Sequence, residues 1–220
     1  MVTYKEIRNN EEVRAYYQKG DQMLGLLGYT DHSMAHATKV AEQAANILAW
    51  FDYDEEHIEL VRIAGIMHDI GNAINREHHG EYGALLANQI LHPMDISIRQ
   101  RITIVSAIAN HDESTGRAID PVSAALIIAD KTDVRRNRVR TDKKRAQFDI
   151  HDRVNFAVVG AHLKYQSEKK SIDLNLQIDE EICTMYEYFE IFLGRMIMCR
   201  RAAELLGTTF RLIANGQKVL

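Results

Sequence analysis

The residues most able to do chemistry in this chain are His36, the doublet His68-Asp69, His79, His111 and Asp130. The stretch "AGIMHDIGN", residues 64–72, sets the doublet beside Ile63, Ile66 and Met67, where an apolar run meets a glycine. A carboxylate buried there without a partner costs several kcal/mol, roughly 2–7 even for a merely polar group. A divalent cation is a partner that suits neutral imidazole and carboxylate together, and Fe, Mn, Zn, Ni and Co all accept such a mixed donor set. Adjacent side chains point in different directions. A bridging carboxylate beside a terminal imidazole therefore suits two ions about 3.5–4 Å apart. Of the other histidines, His57, His92, His151 and His162 fall outside this pattern and read as ordinary hydrogen-bonded residues.

These residues need helices to bring them together, and the periodicity predicts them. Residues 11–27 read as a first helix, with Gly28 as its stop. Thr30 or Asp31 caps a second, which runs to about Phe51 and carries His32 and His36 four apart on one face. Asp54 caps a third, ending near Gly71. A fourth, "HGEYGALLANQILH", starts at His79 and is closed by Pro93. A fifth runs from Asp95 to His111. Asp120-Pro121 is the preferred opening of a sixth, which continues through "AALIIADKTDVRR". After residue 145 the character changes. "VNFAVVGAHLKYQ" and "SIDLNLQID" read as a β-hairpin around "SEKK", followed by a helix over 180–206 and a last strand with Asn215-Gly216 as its turn. The expected organisation is a helical metal-binding domain over 1–145 and a small α+β extension over 146–220. In the extension's helix Ile182, Met185, Tyr186, Phe189, Phe192, Leu193 and Met196 form an apolar stripe, to be covered by its own strands, by the helical domain or by a second subunit in a homodimer.

The order His36, then His68-Asp69, then Asp130 resembles the H…HD…D signature of the HD superfamily of metal-dependent phosphohydrolases. The segments "HSMAHATKVA", "AGIMHDIGN" and "IIADKTD" carry the likeness, which covers about residues 20–140. It implies a mainly α fold, an HD-domain helical bundle, here with the C-terminal α+β extension. It implies that His36, His68, Asp69 and Asp130 hold one ion, His36 fitting better than His32 because "HATKVA" resembles the family's first motif. His79, in H-x-x-x-G-A, and His111 resemble the pair that holds a second ion in many members, with His78 the competitor for His79. No GYP motif follows His111, unlike one cyclic-di-GMP phosphodiesterase subclass. "IGNAIN" stands where guanosine tetraphosphate hydrolases carry a Glu-Asp pair.

The implied reaction is hydrolysis of a nucleotide or related phosphate ester by a metal-activated water, with His68, Asp69 and Lys131 as the catalytic set. "KTDVRRNRVRTDKKR", residues 131–145, carries eight Lys or Arg against two Asp on a chain of net charge −4. Lys131 with one or two of Arg135, Arg136 and Arg138 is expected to hold phosphate, Arg135 and Arg136 foremost, and His32 to contact substrate. Glu81 and Asp112 are expected to orient an imidazole or act as general acid, and Asp133 to pair with Arg136 or Arg138. Two other functions fit the same ligands: a di-iron oxygenase of the HD fold, and a non-catalytic metal-binding signalling module. Composition narrows the field. The hydrophobic fraction is 46% and the charged fraction 26%, ordinary for a soluble globular protein. No apolar run reaches membrane-spanning length, and "MVTYKEIRNNEEVR" lacks a signal peptide's pattern, so a cytoplasmic location is expected. The net charge and the absence of aromatic interleaving make nucleic acid an unlikely partner. Cys183 and Cys199 are too few for a disulfide framework.

Overall fold

The computed structural model describes residues 2–140 and 148–219. The boundary expected at 145/146, and the end of the basic run, lie outside the described residues. A short α1 (Tyr4–Asn9), opened by a Thr3–Glu6 capping box, precedes the expected first helix, which is α2 (Glu11–Leu26), capped by Asn10. The bundle continues with α3 (Met34–Ala49), α4 (Glu55–Met67), a 3-10 turn over Ile70–Ala73, α5 (His79–Leu91), α6 (Ile98–Ala109) and α7 (Pro121–Lys131).

Asp54 and Asp120 cap α4 and α7 as expected, but two other starts shift. Ser33 caps α3 in place of Thr30 or Asp31, so His32 precedes the helix instead of sharing its face with His36. Ser97 caps α6 in place of Asp95, in a capping box with Gln100. The sixth predicted helix is shorter than its pattern suggests. It ends at Lys131, where Thr132 turns its hydroxyl back onto the Ile128 carbonyl at 2.6 Å.

The extension opens with helix α8 (Ile150–Ala157), where "VNFA" had read as strand. Asp149 decides this locally by accepting a hydrogen bond from the Asp152 backbone N–H. The strands are β1 (Val158–Gln166), β2 (Ser171–Ile178), β3 (Thr209–Ala214) and β4 (Gln217–Lys218), in that spatial order. β1 and β2 form the expected antiparallel hairpin. α9 (Met185–Leu205) then crosses over to lay β3 parallel to β2, and β3 turns into β4.

A single buried apolar cluster runs from Val2 through α3, α4 and α7 into β2, α9 and β3. α9 packs between α7 and β3, and Tyr165 of β1 stacks on Trp50 at the end of α3 with centroids 6.1 Å apart. Of the apolar stripe on α9, Phe192 and Met196 are buried by the chain's own elements, while Tyr186 and Leu193 remain exposed. No helix among the described residues is long and apolar enough to cross a membrane.

Candidate metal centre

Two close helix contacts build the floor of the site. At Gly65 of α4 a Cβ would stand 2.6 Å from the Ala41 Cα, so α3 and α4 touch backbone to backbone and His36 approaches His68. At Gly71 a Cβ would stand 1.9 Å from the His79 carbonyl oxygen and 2.5 Å from the Gly83 amide nitrogen. Only glycine lets the turn after the doublet lie against the start of α5, which brings His79 to Asp69.

All six residues converge. His36 Nε2 lies 3.2 Å from Asp130 Oδ1 and 3.8 Å from Asp69 Oδ2. His68 Nε2 lies 3.2 Å from Asp69 Oδ2 and 3.6 Å from Asp130 Oδ1. On the other side of the same carboxylate, Asp69 Oδ1 lies 3.5 Å from His79 Nε2 and 4.0 Å from His111 Nε2. The two imidazole nitrogens of that pair are 3.2 Å apart. Asp69 thus turns one oxygen to each group. Asp112 adds a carboxylate oxygen 3.6 Å from His79 Nε2. His78, the competitor, is exposed and adopts a left-handed backbone just before α5, away from the centre.

The tautomers are set from behind. The Nδ1–H groups of His68, His79 and His111 donate to the carbonyls of Gly65, Arg76 and Ile108 at 2.8, 3.1 and 2.7 Å. The Nδ1–H of His36 donates to Asp133 Oδ2 at 2.8 Å. Four Nε2 atoms therefore face inward, the arrangement of imidazoles that ligate a metal, those of His79 and His111 as lone pairs. Two such lone pairs 3.2 Å apart repel, and His68 Nε2 and Asp69 Oδ2 are buried with no hydrogen-bond partner. Two ligands each about 2.1 Å from one ion stand about 3.0–3.4 Å apart at octahedral or tetrahedral angles. The separations approach that edge length, so donor chemistry and orphaned atoms both fit divalent cations. Two overlapping groups can hold an ion: His36, His68 and Asp130, and His68, Asp69 and His111.

The electrostatics agree. Burial opposes ionisation of Asp69 and Asp130. For Asp69 the imidazoles of His68, His32 and His79 outweigh it, and for Asp130 Lys131, His36 and His68 do, so both carboxyls lie well below the usual range. Burial also opposes protonation of His68, but Asp69 and Asp130 override it and push the imidazole up to about 10. His111 goes the other way, down to about 3, through burial and the neighbouring His68 and His79. His79 is lowered by burial as well. Burial resists ionisation of Asp112, yet the Ser114 hydroxyl and Lys131 take it down to about 2. Asp112 is then ionised at neutral pH, a hydrogen-bond acceptor or ligand and not the general acid that its position had suggested.

Above this floor lies a cavity of about 30 Å³, walled by His32, Arg76, Lys131 and Arg138 and closed from the extension by Asn155 and Arg195. It adjoins a wider one of about 150 Å³ that shares His32, Arg76, Asn155 and Arg195. Lys131 Nζ stands 2.8 Å from Asp130 Oδ2. Arg135 and Arg136, the expected phosphate contacts, are elsewhere. Arg135 is held on Asp133 at 2.6 and 3.0 Å, and Arg136 lies over the Phe156 ring and donates to its carbonyl at 2.6 Å. The reason is the early end of α7. The chain leaves the helix after Lys131, and a 3-10 turn over Arg136–Arg138 rotates Arg138 inward instead. Asp133 faces Arg138 at 3.6 Å, one of the two expected partners, and also holds His36, Lys39 and Arg135. Arg76 and Arg195 had no signal in the sequence: Arg76 is a lone cation in the polar "NREHHG", and Arg195 a single cation inside the apolar "FLGRMIMC".

The comparisons follow this geometry. Residues 29–135 match the family model described as HD domain, whose members bind divalent metals. An uncharacterized protein of Methanocaldococcus jannaschii is 25% identical over 203 residues, 82% of this chain and 77% of its own length. A crystal structure described as a predicted HD superfamily hydrolase from an uncultured Thermotogales bacterium is 26% identical, covers 59% of this chain and 67% of its own, and superposes with a TM-score of 0.46. Residues 29–135 are an HD domain, and that segment belongs to the HD superfamily.

Proposed function

We propose that this chain is a metal-dependent phosphohydrolase acting on a nucleotide or a related phosphate ester. The observation that carries the reading is the pairing within one cavity of a floor of imidazoles and carboxylates with a wall of cations. In this reading His36, His68, Asp69 and Asp130 hold one divalent ion, and Asp69, His79 and His111 hold a second. Such ions supply Lewis acidity and lower the pKa of a coordinated water.

The rest falls to side chains. Lys131 and Arg138 lie on the side of the cavity where phosphoryl oxygens would enter, and fixed cations there favour the extra charge of the transition state. Lys131 is anchored by Asp130 and Arg138 is buried, so neither needs to reorganise when that charge develops. Arg138 also packs on the imidazole of His36, with its Nη1 2.9 Å from Nδ1, and so ties the phosphate wall to the metal floor. His32, whose Nδ1–H donates to the Thr30 carbonyl at 2.8 Å, is lowered well below its usual value by burial and Arg138. It meets substrate as a neutral imidazole.

The test is metal analysis of untagged protein followed by a phosphate-release screen across nucleotides and sugar phosphates. Lys131→Met is expected to lower kcat about a hundredfold with metal content unchanged, and Asp69→Asn to lose metal and turnover together. Oxygen consumption with a bound di-iron centre, and no phosphate from any ester, would replace this reading by the oxygenase.

A further inference from the structure

Arg195 belongs to α9, sixty residues beyond the end of the matched HD segment, yet it lines both the cavity over the metal floor and the wider cavity beside it. We propose that Arg195 is a substrate-binding residue, a phosphate contact delivered by the C-terminal extension and aimed by Glu113. The inference rests on the hydrolase reading for the identity of its ligand.

Three observations carry it. The first is orientation. The Arg195 Nε–H donates to Glu113 Oε2 at 2.9 Å, and its guanidinium carbon lies 4.5 Å from the centroid of the fully buried Phe192 ring. One edge of the guanidinium is thereby fixed and its plane laid on an aromatic face. Among the described residues nothing accepts from the two Nη groups. A planar fork with both terminal nitrogens available is the geometry that binds two phosphate oxygens at once.

The second is local charge. Arg76, Lys131, Arg138 and Arg195 converge on a cavity of only about 30 Å³. The Asp130 carboxylate answers Lys131 and Asp133 faces Arg138, while Arg76 lies over the Tyr29 ring and, among the described residues, meets no carboxylate, only the neutral Asn72 amide at 3.2 Å. Arg138 is nine-tenths buried and its Nε has no hydrogen-bond partner. An anion between these groups relieves their repulsion.

The third is the change of sign across Arg195. On the outer side, the wider cavity sets Glu113, Asp149 and Asp152 against the shared Arg76 and Arg195. A phosphoryl group is therefore more favoured inside, where Lys131 and Arg138 join those cations, than outside. Arg195 at the boundary thus sets which end of a substrate enters, and Asn155 beside it offers an amide to the same junction. The extension is then part of the active site and a determinant of its specificity.

The experiment uses the full chain loaded with metal, with inorganic phosphate as the probe, since phosphate binding reads the subsite without turnover. Arg195→Gln is expected to weaken phosphate binding about tenfold or more and to raise KM for phosphate esters by a similar factor, with metal content and Tm unchanged. Arg195→Lys, which keeps charge but not the fork, is expected to fall between. Glu113→Gln, which loosens the aim, is expected to raise KM with little change in kcat. Equal phosphate affinity for wild type and Arg195→Gln overturns the inference, as does wild-type protein that binds no phosphate at millimolar concentration. Turnover of esters with KM unaffected by Arg195→Gln overturns it while leaving the hydrolase reading in place. Arg195-dependent phosphate binding without hydrolysis of any ester does the reverse.

Discussion

Asp133 shows how much a single residue behind the floor controls. It is buried, accepts from the Nδ1–H of His36 and is itself held by Lys39 at 2.6 Å and by Arg135. Burial opposes its ionisation, but His36 and Arg138 prevail and keep the carboxyl far below the usual range, so the acceptor is permanently charged. Asp133→Asn keeps the shape and removes the charge. It is expected to weaken metal binding roughly 10–100-fold with the fold intact, read by competition with a chromophoric chelator; an unchanged affinity would show that His36 needs no carboxylate behind it. A second prediction concerns protons. In the metal-free protein His68 carries a proton below about 10, whereas His79 and His111 are already neutral at pH 7. An ion must displace the His68 proton, so affinity rises with pH, by up to about tenfold per unit between about pH 7 and 9. Zinc titrations across that window check it, and a flat profile would contradict it. The convergent imidazoles and carboxylates were legible in the sequence because their residue types, their order and the His68-Asp69 doublet point to a single chemistry. The choice of Arg138 over Arg135 and Arg136, and the place of Asp133 behind His36, were not, because they depend on where α7 stops. If α7 had continued, Arg135 would have shared a face with Lys131. Its actual end at Lys131 exchanges Arg135 for Arg138.

At the scale of elements, the site depends on how closely helices approach. The turn over Ile70–Ala73 meets α5 at Gly71, where the atoms a Cβ would strike are backbone and cannot swing away. Gly71→Ala must push α5 outward, and with it His79. Overpacking of this kind costs about 1–3 kcal/mol. The expected outcome is a fall in Tm together with loss of one of two bound ions, His79 being drawn away from Asp69 while His36 and His68 on α3 and α4 stay in place. A variant that binds both ions with wild-type affinity would show that α5 has freedom the packing does not suggest. Helix existence was legible from the apolar spacing and from side-chain oxygens at Asp54 and Asp120. Helix starts were less so, since Thr30, Asp31 and Ser33 are all competent caps and the winner is the one whose Oγ reaches the Ala35 N–H at 3.2 Å. α8 was misread for a related reason. "VNFAVV" has strand-type residues throughout, and only the Asp149 cap, five residues upstream of Val154, tips its first half into helix.

For the molecule as a whole, the question is whether bundle and extension behave as one body. The apolar cluster is continuous across them, α9 is packed between α7 and β3, and Arg195 returns from α9 to the cavity over the metal floor. The sequence showed the change of character after residue 145 but not this continuity, because an apolar stripe does not say what covers it. In the proposed reading metal binds the folded floor and not the unfolded chain, and so stabilises whatever unfolds cooperatively with that floor. A free ion at about a thousand times its Kd contributes about 4 kcal/mol. For a chain of this size that raises Tm by about 8–16 °C, at about 2–4 °C per kcal/mol. If core and extension are one cooperative unit, thermal unfolding shows a single transition, and metal or its removal by a chelator shifts the whole of it, including the signal of the four-stranded sheet. Two transitions, only the first moving with metal, would divide the molecule between Arg140 and Phe148. In that case the sheet and α9 would fold on their own, and Arg195 would reach the site only by docking.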